Sequence, residues 1–122
     1  IYIDNVVCRG SGRAMYFNGL PEMKISNVNI TNTTILGAKS GIVINQTDGV
    51  KIENCRIEPL KGSVIRLADA ENISINGLKT STSSASALVE SGCSNITIKK
   101  SDIDKENVTF AEGVSSKTVK FK

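Results

Sequence analysis

The sequence predicts an all-β protein wound as a right-handed parallel β-helix of about five rungs, each of roughly 23 residues. Three observations predict it. An apolar-x-apolar pair returns along the chain at nearly constant spacing, short alternating segments are separated by Asn, Gly, Ser and Asp, and no apolar run keeps a 3.6-residue period long enough for a helix.

The anchor pairs are Ile1/Ile3, Met23/Ile25, Val50/Ile52, Ile73/Ile75, Ile96/Ile98 and Val119/Phe121, so successive steps are 22, 27, 23, 23 and 23 residues. Asn5, Asn27 and Asn54 follow the first three anchors at one offset, with Gly77 and Lys100 at the same offset later. A second apolar position falls at Val6, Val28, Cys55 and Leu78. A third block reads Met15-Tyr16-Phe17, Ile42-Val43-Ile44, Ile65-Arg66-Leu67, Leu88-Val89 and Val108-Thr109-Phe110. Each unit therefore holds three short strands, which is one turn of a three-faced coil. A leucine-rich repeat would place Leu at fixed offsets beside a helical half. A hexapeptide β-helix would show a six-residue subperiod. The Ile/Val-rich pattern shows neither.

Composition agrees with this reading. A chain of 122 residues makes one domain, and 39% hydrophobic with 22% charged residues is the balance of a folded chain. Aromatics are only 4% and Trp is absent, so the core must be aliphatic. β-Branched side chains pack well when equivalent residues stack about 4.8 Å apart in neighbouring rungs. Asn tolerates the left-handed backbone of a sharp corner and can link rungs through its amide, so Asn5, Asn27 and Asn54 are the expected ladder. Gly77 suits the same corner, whereas Lys100 interrupts the column. The 27-residue step places a longer loop at Leu36-Gly37-Ala38-Lys39-Ser40-Gly41. The first residues start directly on a core strand, and an uncapped N-terminal rung is expected to favour self-association.

Several function classes are excluded at this level. The 15 basic and 12 acidic residues give a net charge of +3 without a concentrated basic footprint, which does not suit a nucleic-acid partner. No stretch approaches the roughly 20 apolar residues of a membrane span. Cys8, Cys55 and Cys93 are three in number and lack metal-ligand spacing, so neither a disulfide framework nor a metal site is expected, and Cys55 reads as core filler. No cofactor is implied.

The segment Ala14-Met15-Tyr16-Phe17-Asn18-Gly19-Leu20-Pro21-Glu22-Met23, followed by Ile25-Ser26-Asn27-Val28 and later by Ala38-Lys39-Ser40-Gly41, resembles the late rungs of bacterial polygalacturonases of glycoside hydrolase family 28. The resemblance in rung pattern covers essentially the whole chain. It implies that residues 1–122 form a single β-helix fragment, the C-terminal part of a secreted or periplasmic enzyme that hydrolyses galacturonan with inversion. An acidic polysaccharide is then the partner; the alternative is a non-catalytic β-helical module that binds polysaccharide or caps a solenoid. Inverting hydrolysis needs carboxylates on opposite sides of the bond with room for water. The resembled family carries its catalytic set in Asn-Thr-Asp, Asp-Asp, Gly-His-Gly and Arg-Ile-Lys motifs, with the carboxylates in the first two. His is absent here and no Asp-Asp pair occurs, so the catalytic set is expected to be missing from this chain. Gln46-Thr47-Asp48 and Arg56-Ile57-Glu58 are near misses, read as a turn and a strand. A β-helical lyase would call for clustered acidic Ca²⁺ ligands, and none is evident.

Asp102 and Asp104 flank Ile103 on an expected strand and could form an acid/base pair, but a solvated face near Lys99, Lys100 and Lys105 explains them without a ligand. Lys24, Lys51 and Lys120 hold the middle anchor position with Tyr2, Ser74 and Thr97; they read as a soluble face before they read as a carboxylate-binding column. Sequons begin at Asn29, Asn32, Asn45, Asn72, Asn95 and Asn107 and reflect composition. Gly19-Leu20-Pro21-Glu22 reads as a corner before it reads as a functional loop, with Glu22 the residue to watch. No catalytic residue is assigned, and no substrate-binding residue is identified from sequence.

Overall fold

A computed structural model of the chain describes residues 2–10, 12–20, 22–60, 63–80, 86–103 and 105–121, the side chain of Lys105 excepted. The named strands among them pair only in parallel, each with its equivalent one rung away. The first face is built from β1 (Tyr2–Asp4), β4 (Ile25–Thr31), β9 (Ser94–Lys99) and β11 (Val119–Phe121). The second carries β2 (Val7–Arg9) and β5 (Thr34–Ala38), and the third carries β3 (Arg13–Asn18), β8 (Ala87–Val89) and β10 (Val108–Phe110). The two long strands, β6 (Ser40–Pro59) and β7 (Ile65–Lys79), bend round the corners and contribute to all three faces. The result is a β-solenoid of about five turns, with β11 opening a sixth.

Alternation within each strand turns every second side chain inward, and the rung register stacks those side chains in columns. On the first face Ile3, Ile30, Ile52, Ile75, Ile98 and Phe121 form one column. Val28, Val50, Ile73, Ile96 and Val119 form the next. On the third face the columns are Met15, Ile42, Ile65, Ala87, Val108 and Phe17, Ile44, Leu67, Val89, Phe110. The middle rungs are fully covered, with Ile30, Ile52 and Ile75 at 0% exposure. Burying an isoleucine of this kind contributes on the order of 1.5–3 kcal/mol, so the interior columns carry most of the apolar stabilisation.

The rung register corrects the second anchor. Val28/Ile30, not Met23/Ile25, stands between Ile3 and Ile52, because Tyr2 pairs with Asn29 and Val28 with Val50. The long rung is consequently the first. Asn18 pairs with Asn45 and Ile25 with Thr47, so six residues (19–24) occupy the corner that Gln46 alone turns one rung later. The expected loop at residues 36–41 is replaced by β5 running almost directly into β6, with one shift in register where Ala38 meets Pro59. In the insertion, Leu20 and Met23 exchange backbone hydrogen bonds of 3.1 and 3.0 Å in an antiparallel bridge. Met23 is 74% exposed, which disqualifies it as an anchor. Thr33, rather than Val28, precedes Cys55 in the second apolar column, with its hydroxyl donating to the Thr31 carbonyl at 3.0 Å. Ile1 and Pro21 lie outside the described residues.

Most corners are turned by a single left-handed residue. Asn5, Asn32, Asn54, Gly77 and Lys100 occupy one corner in successive rungs, with φ of 56, 49, 51, 78 and 47°. Asn32 thus takes the place expected for Asn27. Lys100 keeps the corner despite the roughly 1–2 kcal/mol that a left-handed conformation costs a residue with a Cβ. Asn27 belongs to the next corner with Gly49, Asn72 and Asn95, and a third corner uses Gln46, Asp69 and Gly92. Amide links between rungs do form: Asn32 Nδ2 donates to Asp4 Oδ1 at 3.1 Å beside the expected corner, and at other positions Asn95 Nδ2 donates to Asn72 Oδ1 at 2.6 Å, Asn72 Nδ2 to Asp48 Oδ1 at 2.8 Å and Asn45 Nδ2 to Asn18 Oδ1 at 3.0 Å.

Two interior positions generate predictions. Thr47 is fully buried between Ile25 and Ala70, and its hydroxyl has no hydrogen-bond partner among the described residues. Thr47→Val removes that hydroxyl at nearly constant shape and is expected to raise unfolding stability by about 1 kcal/mol, read as a higher urea midpoint. Gly41 packs so closely on the next rung that any Cβ would be driven into the carbonyls of Ser63 and Val64. Gly41→Ala is expected to lower stability by about 1–3 kcal/mol in the same assay.

Candidate functional site

The outward residues of the third face are the counterparts of its interior columns. In β3, β6, β7 and β8 the residues between the buried ones are Tyr16, Val43, Arg66 and Leu88, aligned in consecutive rungs. A flanking outer column runs Asn18, Asn45 and Ala68 and reaches Glu90 just beyond β8. Where Ser40, Gly41 and Ser63 keep the surface low, these columns enclose an open groove of about 550 Å³ along the coil axis.

The groove contains an aromatic ring and two guanidinium groups. The Arg13 guanidinium sits 4.4 Å from the centroid of the Tyr16 ring, a cation–π contact worth roughly 0.5–1 kcal/mol at an exposed site. Tyr16 remains half exposed. Two rungs along, Arg66 Nη2 and Nε both donate to Glu90 Oε1, at 2.6 and 3.2 Å. This arrangement offers an amphipathic ring for the apolar face of a ligand, guanidinium groups for carboxylates, and Ser and Asn groups for hydroxyls.

The residues singled out from sequence lie elsewhere. Lys51 and Lys120 do share an outer column with Tyr2, Ser74 and Thr97 on the first face, but Asn29 occupies the place expected for Lys24. Lys24 instead pairs with Glu71 at 3.1 Å. Asp102 is in a bend rather than a strand, and its Oδ2 accepts from the Thr80 backbone N–H at 3.0 Å while Ile103 beside it is buried. Asp104 lies outside the described residues. Gln46 turns a corner and donates to Asp69 Oδ2 at 3.1 Å, Thr47 is buried, and Asp48 accepts from Asn72. Arg56 and Glu58 face outward 3.7 Å apart across the buried Ile57. Glu22 is exposed on the insertion. None of these lines the groove.

Arg13, Arg66 and Glu90 were missed because no motif contains them, and Tyr16 was read only as part of a strand in the family-resembling segment. The available signal was alternation. Tyr16 and Arg66 are the middle residues of Met15-Tyr16-Phe17 and Ile65-Arg66-Leu67, so the rule that buries their neighbours places both on one outer column.

The cysteines are unpaired thiols. Cys55 is buried where core filler was expected, and burial pushes the thiols of Cys55 and Cys93 up from their ordinary value. Their contribution to stability is present below the ordinary thiol pKa of about 8.5 and is lost as pH rises through the raised folded values, because the unfolded chain sheds those protons first. The urea midpoint should fall above about pH 8.5, and Cys55→Ala with Cys93→Ala should make that fall shallower.

Parallel coils stacked rung on rung, with an open groove along one outer face, define a β-solenoid protein. The chain belongs to the right-handed β-helix family: the family model described as right handed beta helix region matches residues 1–121. No curated protein and no solved structure matches the chain.

Proposed function

We propose that this chain is a non-catalytic, acidic-polysaccharide-binding portion of a polygalacturonase-like β-helical protein, secreted or periplasmic, that acts on galacturonan. The groove carries the reading. Its Tyr16 ring and its Arg13 and Arg66 guanidinium groups suit a chain of carboxylated sugars laid along the coil axis, with rings stacked on the aromatic and carboxylates facing the cations. The Gly19-Leu20-Pro21-Glu22 resemblance supports the choice of galacturonan and an inverting hydrolase as the parent activity. The 122 residues hold no His and no Asp-Asp pair, so the hydrolytic set of the resembled family has to be supplied by other rungs.

Calorimetric titration with oligogalacturonate and reducing-sugar release from polygalacturonate test this together. The expected result is binding without hydrolysis, with Tyr16→Ala weakening the affinity about five-fold, the equivalent of roughly 1 kcal/mol for a lost aromatic contact. Sugar release by the chain alone, or an affinity that Tyr16→Ala leaves unchanged, would overturn it.

A further inference from the structure

Glu90 meets Arg66 in an unusual way. The Nε–H and one Nη–H of a guanidinium form a parallel fork that matches the two oxygens of a carboxylate. Here both donors converge on Oε1 of Glu90, at 3.2 and 2.6 Å, so the fork is closed on a single oxygen. The two side chains also remain 52% and 29% exposed. A pair this wet is only weakly held, since water competes for both charges. Arg66 is therefore held in place by an anion that a better-matched carboxylate can displace.

We infer that Arg66 is the uronate-recognising cation of the groove, and that Glu90 is an internal stand-in for the ligand's carboxylate which yields when a carboxylated sugar enters. The inference rests on the acidic-glycan reading and adds a recognition point and a competitor to it. The rung register supports the placement. Tyr16 and Arg66 share one outer column and are two rungs apart, roughly 9.6 Å at the usual strand spacing, with Val43 between them. A sugar chain along the axis can place one ring on Tyr16 and present a carboxylate further along to Arg66. Glu90 approaches from the adjacent rung and the neighbouring column, so it can release the guanidinium without any movement of the core.

The competitor has a distinct effect on selectivity. An uncharged chain can stack on Tyr16 and leave the Arg66–Glu90 pair intact. A carboxylated chain gains the full fork of Arg66 but must first displace Glu90 and then lie near its charge. Glu90 thus sets how tightly the groove holds a polyanion, and it does so by opposition rather than by contact.

The test is calorimetric titration of the whole chain, as wild type, Glu90→Gln and Arg66→Gln, with oligogalacturonate and with its fully methyl-esterified form, which keeps the rings but loses the charge. Glu90→Gln is expected to tighten oligogalacturonate binding about two- to five-fold, the range set by an exposed ion pair, and to leave the ester unchanged. Arg66→Gln is expected to weaken the acid about five-fold, leaving it a smaller advantage over the ester, and to leave the ester unchanged. The inference is overturned if Glu90→Gln binds the acid no more tightly than wild type, or if it tightens both ligands alike. Failure of the underlying reading has a different signature, because wild type and both variants would then bind neither form. All three side chains involved lie on the outer face, and unchanged melting curves establish that the variants keep the fold.

Discussion

Every part of this molecule depends on one distance, the spacing of about 4.8 Å between hydrogen-bonded parallel strands. Each turn of the chain must advance by that amount and return to the same lateral position, so equivalent residues are forced into vertical register. An inward column then accepts only side chains whose shapes repeat, which is why isoleucine follows isoleucine from Ile30 to Ile98. The same constraint acts on the outside. Tyr16, Val43 and Arg66 come into line because Met15, Ile42 and Ile65 do, and the groove is the outer face of a packing rule written for the core.

Closing each turn requires corners that do not disturb that register. A single left-handed residue between two extended segments changes direction without adding length, and the Asn-rich composition follows from it. Lys100 shows how strongly the neighbouring strands impose the geometry: β9 is pinned by pairs such as Ile96 with Ile73 and Val119, and the corner after it is kept by a residue with no intrinsic preference for it. Backbone and packing together outweigh the local cost.

The architecture was legible because its signal is repeated five times, whereas the register of one rung was not. Met23/Ile25 and Val28/Ile30 both satisfy apolar-x-apolar, both are followed by Asn at the same offset, and their steps of 22 then 27 or 27 then 22 have the same sum. The third strand distinguishes them. Ile42 and Ile44 lie 14 and 16 residues after Val28, as Met15 and Phe17 lie 14 and 16 after Ile1, but 19 and 21 after Met23. The groove was less legible for a different reason: Arg66 and Glu90 are 24 residues apart and meet only because the coil brings adjacent rungs together. Motif searching reads along the chain, and this site is written across it. Lys24 was misplaced for the first of these reasons: the wrong anchor carried it into the column of Lys51 and Lys120, whereas it reaches Glu71.

The insertion at residues 19–24 occupies a corner, and the strands on either side resume their columns as though it were absent. Lengthening a loop whose ends are already fixed costs little, because closure entropy grows only with the logarithm of its length. A β-solenoid built in this way separates two kinds of inheritance. Its columns resist change one residue at a time, while its corners can gain or lose whole segments without the core registering the difference. New surface can accordingly be added beside a groove without rebuilding the columns beneath it, and the first rung of this chain carries its extra surface in that way.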